Sequence, residues 1–403
     1  MTKQTVIIVG GGAAGFFTAA NLDGNKFQTI ILEQSSDVLQ KVRISGGGRC
    51  NVTHSCFDPS ELVQFYPRGN RELRSVFSRF NPQDTINWFS SRGVSLKTEK
   101  DGRIFPQTNR SETIIDLLKQ QAVQNGAEVK LQHRVLSIER HQADYQVVTS
   151  QGSFKADIIC FTPGSVPKSL RILQDMSFNT VIPVPSLFTF NISHPLIDQL
   201  PGISFPNSLL SIPEMKVKQE GPLLITHWGL SGPAILKISA WKARELHSTD
   251  YKFTLNVNFL AKPFAEVHQY FTTLKQSTPK KLTSAVKPEA LTQRFWNRIL
   301  EVAGIDPNQQ IGHIKMSSID KLASLLTQSK FEVHGKSTNK DEFVTAGGID
   351  LKEIDFRTME SKRYPNFFLA GEILNIDGIT GGFNFQACWS EAFVIATELN
   401  ARY

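Results

Sequence analysis

The sequence predicts an α/β fold: a parallel-sheet domain that the chain leaves for an antiparallel β unit with a small helical unit, and then re-enters. Three observations carry this. Up to residue 161, short β-branched runs alternate with helical patterns, the signature of βαβ units. After about Pro185 the texture changes to turn-punctuated alternation, the mark of antiparallel strands. Residues 367–399 then return to strand, glycine turn and long helix.

Taken in order, residues 5–9 read as the first strand, and their unbroken apolar run suits burial on both faces. A glycine turn spans 10–15, a helix 13–22, and a second strand 29–32, ending at Glu33. Residues 111–125 are helical, 128–139 extended, and 145–161 a hairpin around Gln151 and Gly152 followed by a buried strand. Beyond Pro185, segments 188–192, 209–212, 223–226 and 251–259 read as strands, whereas 264–274, 290–302 and 318–329 carry helical periodicity.

A chain of 403 residues exceeds the size at which single cores stop growing, so two or three domains are expected. Its 40% hydrophobic and 20% charged residues exclude a disordered or fibrous chain. A net charge of +7 would suit nucleic acid, a membrane surface or an anionic cofactor. Lys and Arg look scattered, and Lys280 and Lys281 lie in a Ser/Thr/Pro-rich stretch that reads as a solvated loop, so neither nucleic acid nor membrane is expected as a partner. Cys50, Cys56, Cys160 and Cys388 are too few and too dispersed for a disulfide framework or a zinc site, so no metal is expected and a reducing cytoplasm fits. There is no signal-peptide pattern, and no apolar run reaches transmembrane length.

The strongest local signal is VIIVGGGAAG, in which Gly10, Gly12 and Gly15 satisfy G-x-G-x-x-G between strand and helix. Gly10 permits the tight turn, Gly12 lets a pyrophosphate approach the backbone N–H groups before Ala13 and Ala14, and Gly15 lets helix and strand pack closely. Glu33, with Gln34 beside it, ends the second strand, where a carboxylate accepts hydrogen bonds from ribose hydroxyls. This fingerprint does not separate NAD from FAD; the C-terminal FLAGEILNIDGITGGFNFQ does. There Gly371 and Glu372 end a strand, and Gly381 and Gly382 lead into a helix beginning at Phe383 and Asn384. A helix N-terminus aimed at the pyrimidine end of an isoalloxazine stabilises the negative charge of reduced flavin, and Glu372 and Asp377 would hold ribitol or ribose hydroxyls. A third cluster, KVRISGGGRCNVTH, permits close approach to a planar ligand through its glycines, with Arg49 facing an anion and Cys50 either touching flavin or simply packed. His227, read as a histidine satisfied by backbone at a strand end, and Arg103 in DGRIFP are the weak candidates for catalysis.

The set GGGAAG, ISGGGRCN, GRIFP, THWGLSGPAIL, TAGGI, TMESK and AGEILNIDGITGGFN resembles, across most of the chain, the aminoacetone-oxidase-like FAD-dependent oxidoreductases of bacteria. The resemblance implies a Rossmann-type FAD-binding domain over 1–185 and 340–403, an inserted β-barrel domain over 186–260 and 331–339, and a small helical domain over 261–330. It implies non-covalent FAD held by the Gly10–Gly15 turn, Glu33, Lys41, Gly47, Gly48, Arg49, Cys50 and Asn51, together with Gly371, Glu372 and residues 381–384; Val135, Thr162 and Gly164 are expected to border the cofactor. The segment Thr162, Pro163, Gly164 and Ser165 is shorter than the family's usual one, and Asn375 stands where an aspartate is common.

The expected function is therefore hydride transfer at flavin N5 with a small-molecule substrate, with NAD(P)H as transient donor or dioxygen as acceptor. A disulfide reductase is disfavoured, because five residues separate Cys50 from Cys56 and no second G-x-G-x-x-G exists. A flavin-dependent RNA-modifying protein and an FAD-binding protein without turnover are the other readings.

Overall fold

A computed structural model describes residues 3–337 and 344–403. They fall into two compact units, Met1–Val184 with Lys340–Tyr403, and Pro185–Asn339.

The first unit is built on a seven-stranded sheet. Five strands run parallel in the order Phe367–Leu369, Ile158–Phe161, Gln4–Val9, Phe27–Leu32, Glu128–Lys130. Ile354–Asp355 and Glu360–Ser361 extend one edge antiparallel. Val6, Ile7, Ile8 and Ile31 are fully buried, which is why these strands read as continuous apolar runs rather than alternating ones. The register aligns Val9 with both Phe161 and Leu32, and Phe161 with Leu369, so four strands end at one level. In an open parallel sheet the crevice outside these carboxyl ends is where ligands bind.

Helices cover this sheet. Ala13–Ala19 follows the first strand and packs against the C-terminal helix Phe383–Arg402. Pro82–Ser90 starts where the sequence provides every start signal: Asn81 and Asp84 form a capping box and Pro82 occupies the first turn. The expected extended segment 128–139 is two strands, Glu128–Lys130 in the main sheet and Val135–His141 in a three-stranded meander.

The second unit is an antiparallel seven-stranded sheet, Ser329–Val333, Phe253–Asn258, Ser204–Ile212, Val217–Ile225, Gly229–Ser231, Thr189–Asn191, Gly335–Ser337. Its two edge strands are successive in the chain, separated by His334 alone, so the sheet curls barrel-like until its edges meet. Helices Phe264–Ser277, Gln293–Ala303 and Met316–Thr327 share its core with Phe205, Phe259, Phe295 and Trp296. Sequence periodicity did not show the helix Pro233–Trp241, because most of its residues are apolar and an all-round apolar run carries no 3.6 period.

The expectation of scattered charge is corrected by this division. Residues 185–339 hold 17 Lys and Arg against 11 Asp and Glu, a net +6 out of the chain's +7. The first unit is nearly neutral.

Candidate functional site

At the carboxyl edge of the parallel sheet the three glycines of the first turn have different surroundings. Gly10 has φ +104°, and a Cβ there would lie 2.6 Å from Thr162 O and Pro163 Cα. A Cβ on Gly15 would lie 2.1 Å from Gly10 O and 2.9 Å from Thr162 Oγ1. These two glycines are required by the protein itself. Among the described residues a Cβ on Gly12 would meet nothing within 4 Å, and no side chain caps the helix that begins there. That open cradle fits a ligand pyrophosphate against the backbone.

Glu33 is held beside the turn: Oε2 accepts from Gly11 N at 2.8 Å and Oε1 from Ser35 N at 2.8 Å. Each carboxylate oxygen keeps a lone pair for a ribose hydroxyl. Gln34 is exposed. Val135 starts its strand next to this corner, where His133 N donates to Glu33 O at 2.8 Å. Thr162 donates through Oγ1 to Val9 O, and Gly164, with φ +72°, also faces open space.

The second cluster lies in Gln40–Gly48, where Ser45, Gly46 and Gly47 leave helical geometry and Gly46, Gly47 and Gly48 all have positive φ. Among the described residues nothing stands within 4 Å of a Cβ on Gly47 or Gly48. Arg49 turns the other way: it pairs with Glu99 at 2.7 Å and lies over the Phe105 ring at 4.0 Å. Arg103 shares Glu99 and adds Asp101 at 2.8 Å, so both arginines are held in one ion-pair cluster. Cys50 is buried, and burial pushes its thiol up to about 12. Cys56 is also raised, mainly by burial, and among the described residues no cysteine forms a disulfide, so neither thiol has the thiolate character a redox pair requires.

These segments meet the C-terminal one. Asn51, with its amide oriented as its neighbours require, accepts from Gly382 N at 2.9 Å and donates to Thr53 O and Ile104 O. Tyr66 donates to Phe383 O at 2.6 Å, and Trp389 Nε1 donates to Val52 O at 2.9 Å. Gly382, with φ +90°, starts the 20-residue terminal helix without a side-chain cap. A Cβ there would lie 2.6 Å from Thr53 O, so a larger residue at 382 collides with backbone rather than directly with a cofactor. Asn384 locks the preceding loop by bonding both ways with Gly378. Gly371 approaches Ala14: a Cβ on it would stand 3.5 Å from that of Ala14.

Charged groups around this edge are mutually engaged. Lys41 pairs with Glu372; burial works against its ammonium, but the Glu372 carboxylate outweighs that and raises its pKa. Asp377 is fully buried against Arg68, which binds both its oxygens. His227 lies in the other unit, exposed and without a side-chain hydrogen bond among the described residues, which corrects the expectation of a histidine satisfied by backbone.

Two groups were missed in the sequence. Glu391 is fully buried on the terminal helix; Oε2 accepts from Gly371 N at 2.6 Å, Oε1 has no partner among the described residues, and burial raises the carboxyl to about 8. A glutamate inside the apolar run CWSEAFVIA was the available signal. His54 stacks on Phe383 at 4.8 Å, with Nε2 on Asp101 O at 3.1 Å and a buried Nδ1 that has no partner among the described residues; burial foremost lowers its pKa.

The strand ends, with open glycine positions at Gly12, Gly47, Gly48 and Gly164 and an uncapped helix start, define a dinucleotide-binding flavoprotein of the Rossmann class. The chain belongs to the HI0933-like Rossmann-domain family, whose profile matches residues 4–398. It is an FAD-dependent oxidoreductase. A ribosomal RNA dihydrouridine synthase of Haemophilus influenzae is 28% identical, covering 98% of each chain. A 3-dehydro-bile acid Δ(4,6)-reductase of Clostridium scindens is 25% identical, covering 96% of this chain and 97% of its own. In fold the chain is similar to the 3-ketosteroid-Δ4-(5α)-dehydrogenase of Rhodococcus jostii, with TM-score 0.52 at 12% identity over 100% of this chain and 97% of that one. No helix among the described residues is long and apolar enough to cross a membrane.

Proposed function

We propose that this protein reduces a carbon–carbon double bond conjugated to a carbonyl. The observation that carries the placement of FAD is the convergence of three glycine segments, around Gly12, Gly47–Gly48 and Gly382, on one sheet edge. Bound FAD supplies hydride exchange at flavin N5, with NAD(P)H as the transient donor. In this reading the turn at Gly12 binds the pyrophosphate and Glu33 the adenosine ribose. Lys41 and Glu372 orient the ribitol side, and the start of the terminal helix stabilises negative charge on the pyrimidine end. Hydride addition to the β-carbon leaves an enolate that takes one proton at the α-carbon.

The choice of bond rests on the relatives. Dihydrouridine arises by saturating a ring double bond conjugated to a carbonyl, and a Δ(4,6)-reductase acting on a 3-oxo compound does the same chemistry. A small enone is the first reading of the substrate. A uracil ring within RNA is the second, favoured by the full-length similarity to the Haemophilus protein and by the net +6 of residues 185–339. Anaerobic mixing of the yellow protein with NADH or NADPH, followed by a 3-oxo-Δ4 steroid or an rRNA fragment, tests both. Bleaching and then recovery of colour with one substrate is expected. Protein that cannot be reconstituted with FAD, or reduced flavin that neither substrate reoxidises, defeats the proposal.

A further inference from the structure

The excess positive charge of the second unit has a focus. Two loops, one after the helix Phe264–Ser277 and one before the helix Met316–Thr327, are joined by backbone: Gly312 N donates to Pro279 O at 2.9 Å and Ile311 N to Lys281 O at 2.8 Å. Lys275 Nζ donates to Ile314 O across the same junction. Lys280, Lys281, His313 and Lys315 are thereby brought onto one exposed ridge. No Asp or Glu occurs between Glu266 and Glu289, nor between Asp306 and Asp320. Two of the bounding carboxylates are occupied: Asp306 accepts from Asn308 N at 2.9 Å, and Asp320 pairs with His268 at 3.2 Å. Among the described residues none of the three exposed lysines has an acidic partner, although like charges side by side repel and folding by itself does not favour placing them together.

Such a ridge lowers its energy by binding a polyanion and releasing counterions. We propose that Lys280, Lys281 and Lys315 form a docking surface for the phosphate backbone of structured RNA. This deepens the RNA reading of the substrate and rests on it. The loops are held in place by backbone hydrogen bonds, and two exposed apolar side chains, Leu282 (41%) and Met316 (44%), stand beside the lysines, where they can cover a ribose or a base. An anionic membrane fits less well: interfacial binding needs a broad apolar face, which two side chains do not make.

The test uses FAD-loaded full-length protein without reductant, so binding is read independently of turnover. An in-vitro transcribed rRNA fragment and phosphatidylglycerol vesicles serve as probes for the wild type, a Lys280→Ala/Lys281→Ala/Lys315→Ala variant and the corresponding triple Arg variant. Each phosphate contact contributes about 0.7–0.9 to the slope of log affinity against log salt, so the alanine variant should lose about 2 from the slope. At low salt its affinity should fall about tenfold or more, the Arg variant should bind as wild type does, and flavin absorbance and bleaching by NAD(P)H should be unchanged. An unchanged slope in the alanine variant, a wild type that binds no RNA at low salt, or lysine-dependent binding of vesicles but not RNA each overturns the proposal. RNA binding that depends on the lysines without formation of dihydrouridine would leave the docking surface standing and remove only the RNA reading of turnover.

Discussion

Gly12 and Gly15 stand three residues apart and separate what the ligand requires from what the fold requires. A Cβ at Gly15 would press into the Gly10 carbonyl, so Gly15→Ala is expected to destabilise the protein by about 1–3 kcal/mol in chemical denaturation and to lose flavin as a consequence. Gly12→Val meets no atom of the described residues at its Cβ and should leave the unfolding midpoint of the apoprotein nearly unchanged while weakening FAD at least tenfold by titration. Equal loss of stability in the two variants would contradict this division. Glu391 gives a pH signature. Its folded pKa of about 8 lies above the ordinary carboxylate value, so the folded state holds a proton that the unfolded state releases. Stability from this group is therefore full below the ordinary carboxylate range and is lost as pH rises through about 8. Glu391→Gln, which keeps an acceptor for Gly371 N, should flatten the decline of Tm between acidic and alkaline pH, an effect on the order of a few kcal/mol in stability. The roles proposed for Gly10, Gly12 and Gly15 could be read from the sequence because a dinucleotide turn needs glycines at fixed offsets. His54 and Glu391 could not, because what singles them out is burial, and burial is created by segments far away in the chain.

The terminal helix Phe383–Arg402 is the element on which the site depends. Its start is anchored from outside by Asn51 on Gly382 N and Tyr66 on Phe383 O, and its second turn by its own Trp389 donating to Val52 O, contacts spanning more than 300 positions of chain. Tyr66→Phe removes one fully buried donor and leaves the Phe383 carbonyl without it, for an expected loss of about 1–3 kcal/mol measured by urea unfolding. No measurable loss would mean that the anchor does not hold the helix start. The strand-turn-helix of residues 367–399 was legible as an element, since a short aromatic and apolar run, paired glycines and a long apolar helix each carry a local signal. What holds its start was not legible: an Asn, a Tyr and a Trp announce no partner in sequence. Arg49 and Arg103 show the same limit, because Glu99, which engages both, lies on a hairpin whose register is set only on folding.

At the scale of the whole molecule, the parallel sheet places Gln4–Val9 beside Ile158–Phe161, and that strand beside Phe367–Leu369, so the first unit closes only when both ends of the chain are present. A chain ended after residue 365 lacks this last strand and the terminal helix; it should lose flavin and a cooperative unfolding transition followed by circular dichroism, and a yellow, cooperatively melting fragment would refute the account. By itself the sequence determined the class of fold, the dinucleotide turn and the return of the chain to its first domain, because these follow from periodicity and from residues whose backbone freedom is local. Only the tertiary structure decided which glycines stay open to a ligand, which charges are consumed by one another, and that two loops distant in sequence are joined so that their lysines stand together. Those properties belong to atoms that meet across distant parts of the chain, and a linear order of residues does not contain distances.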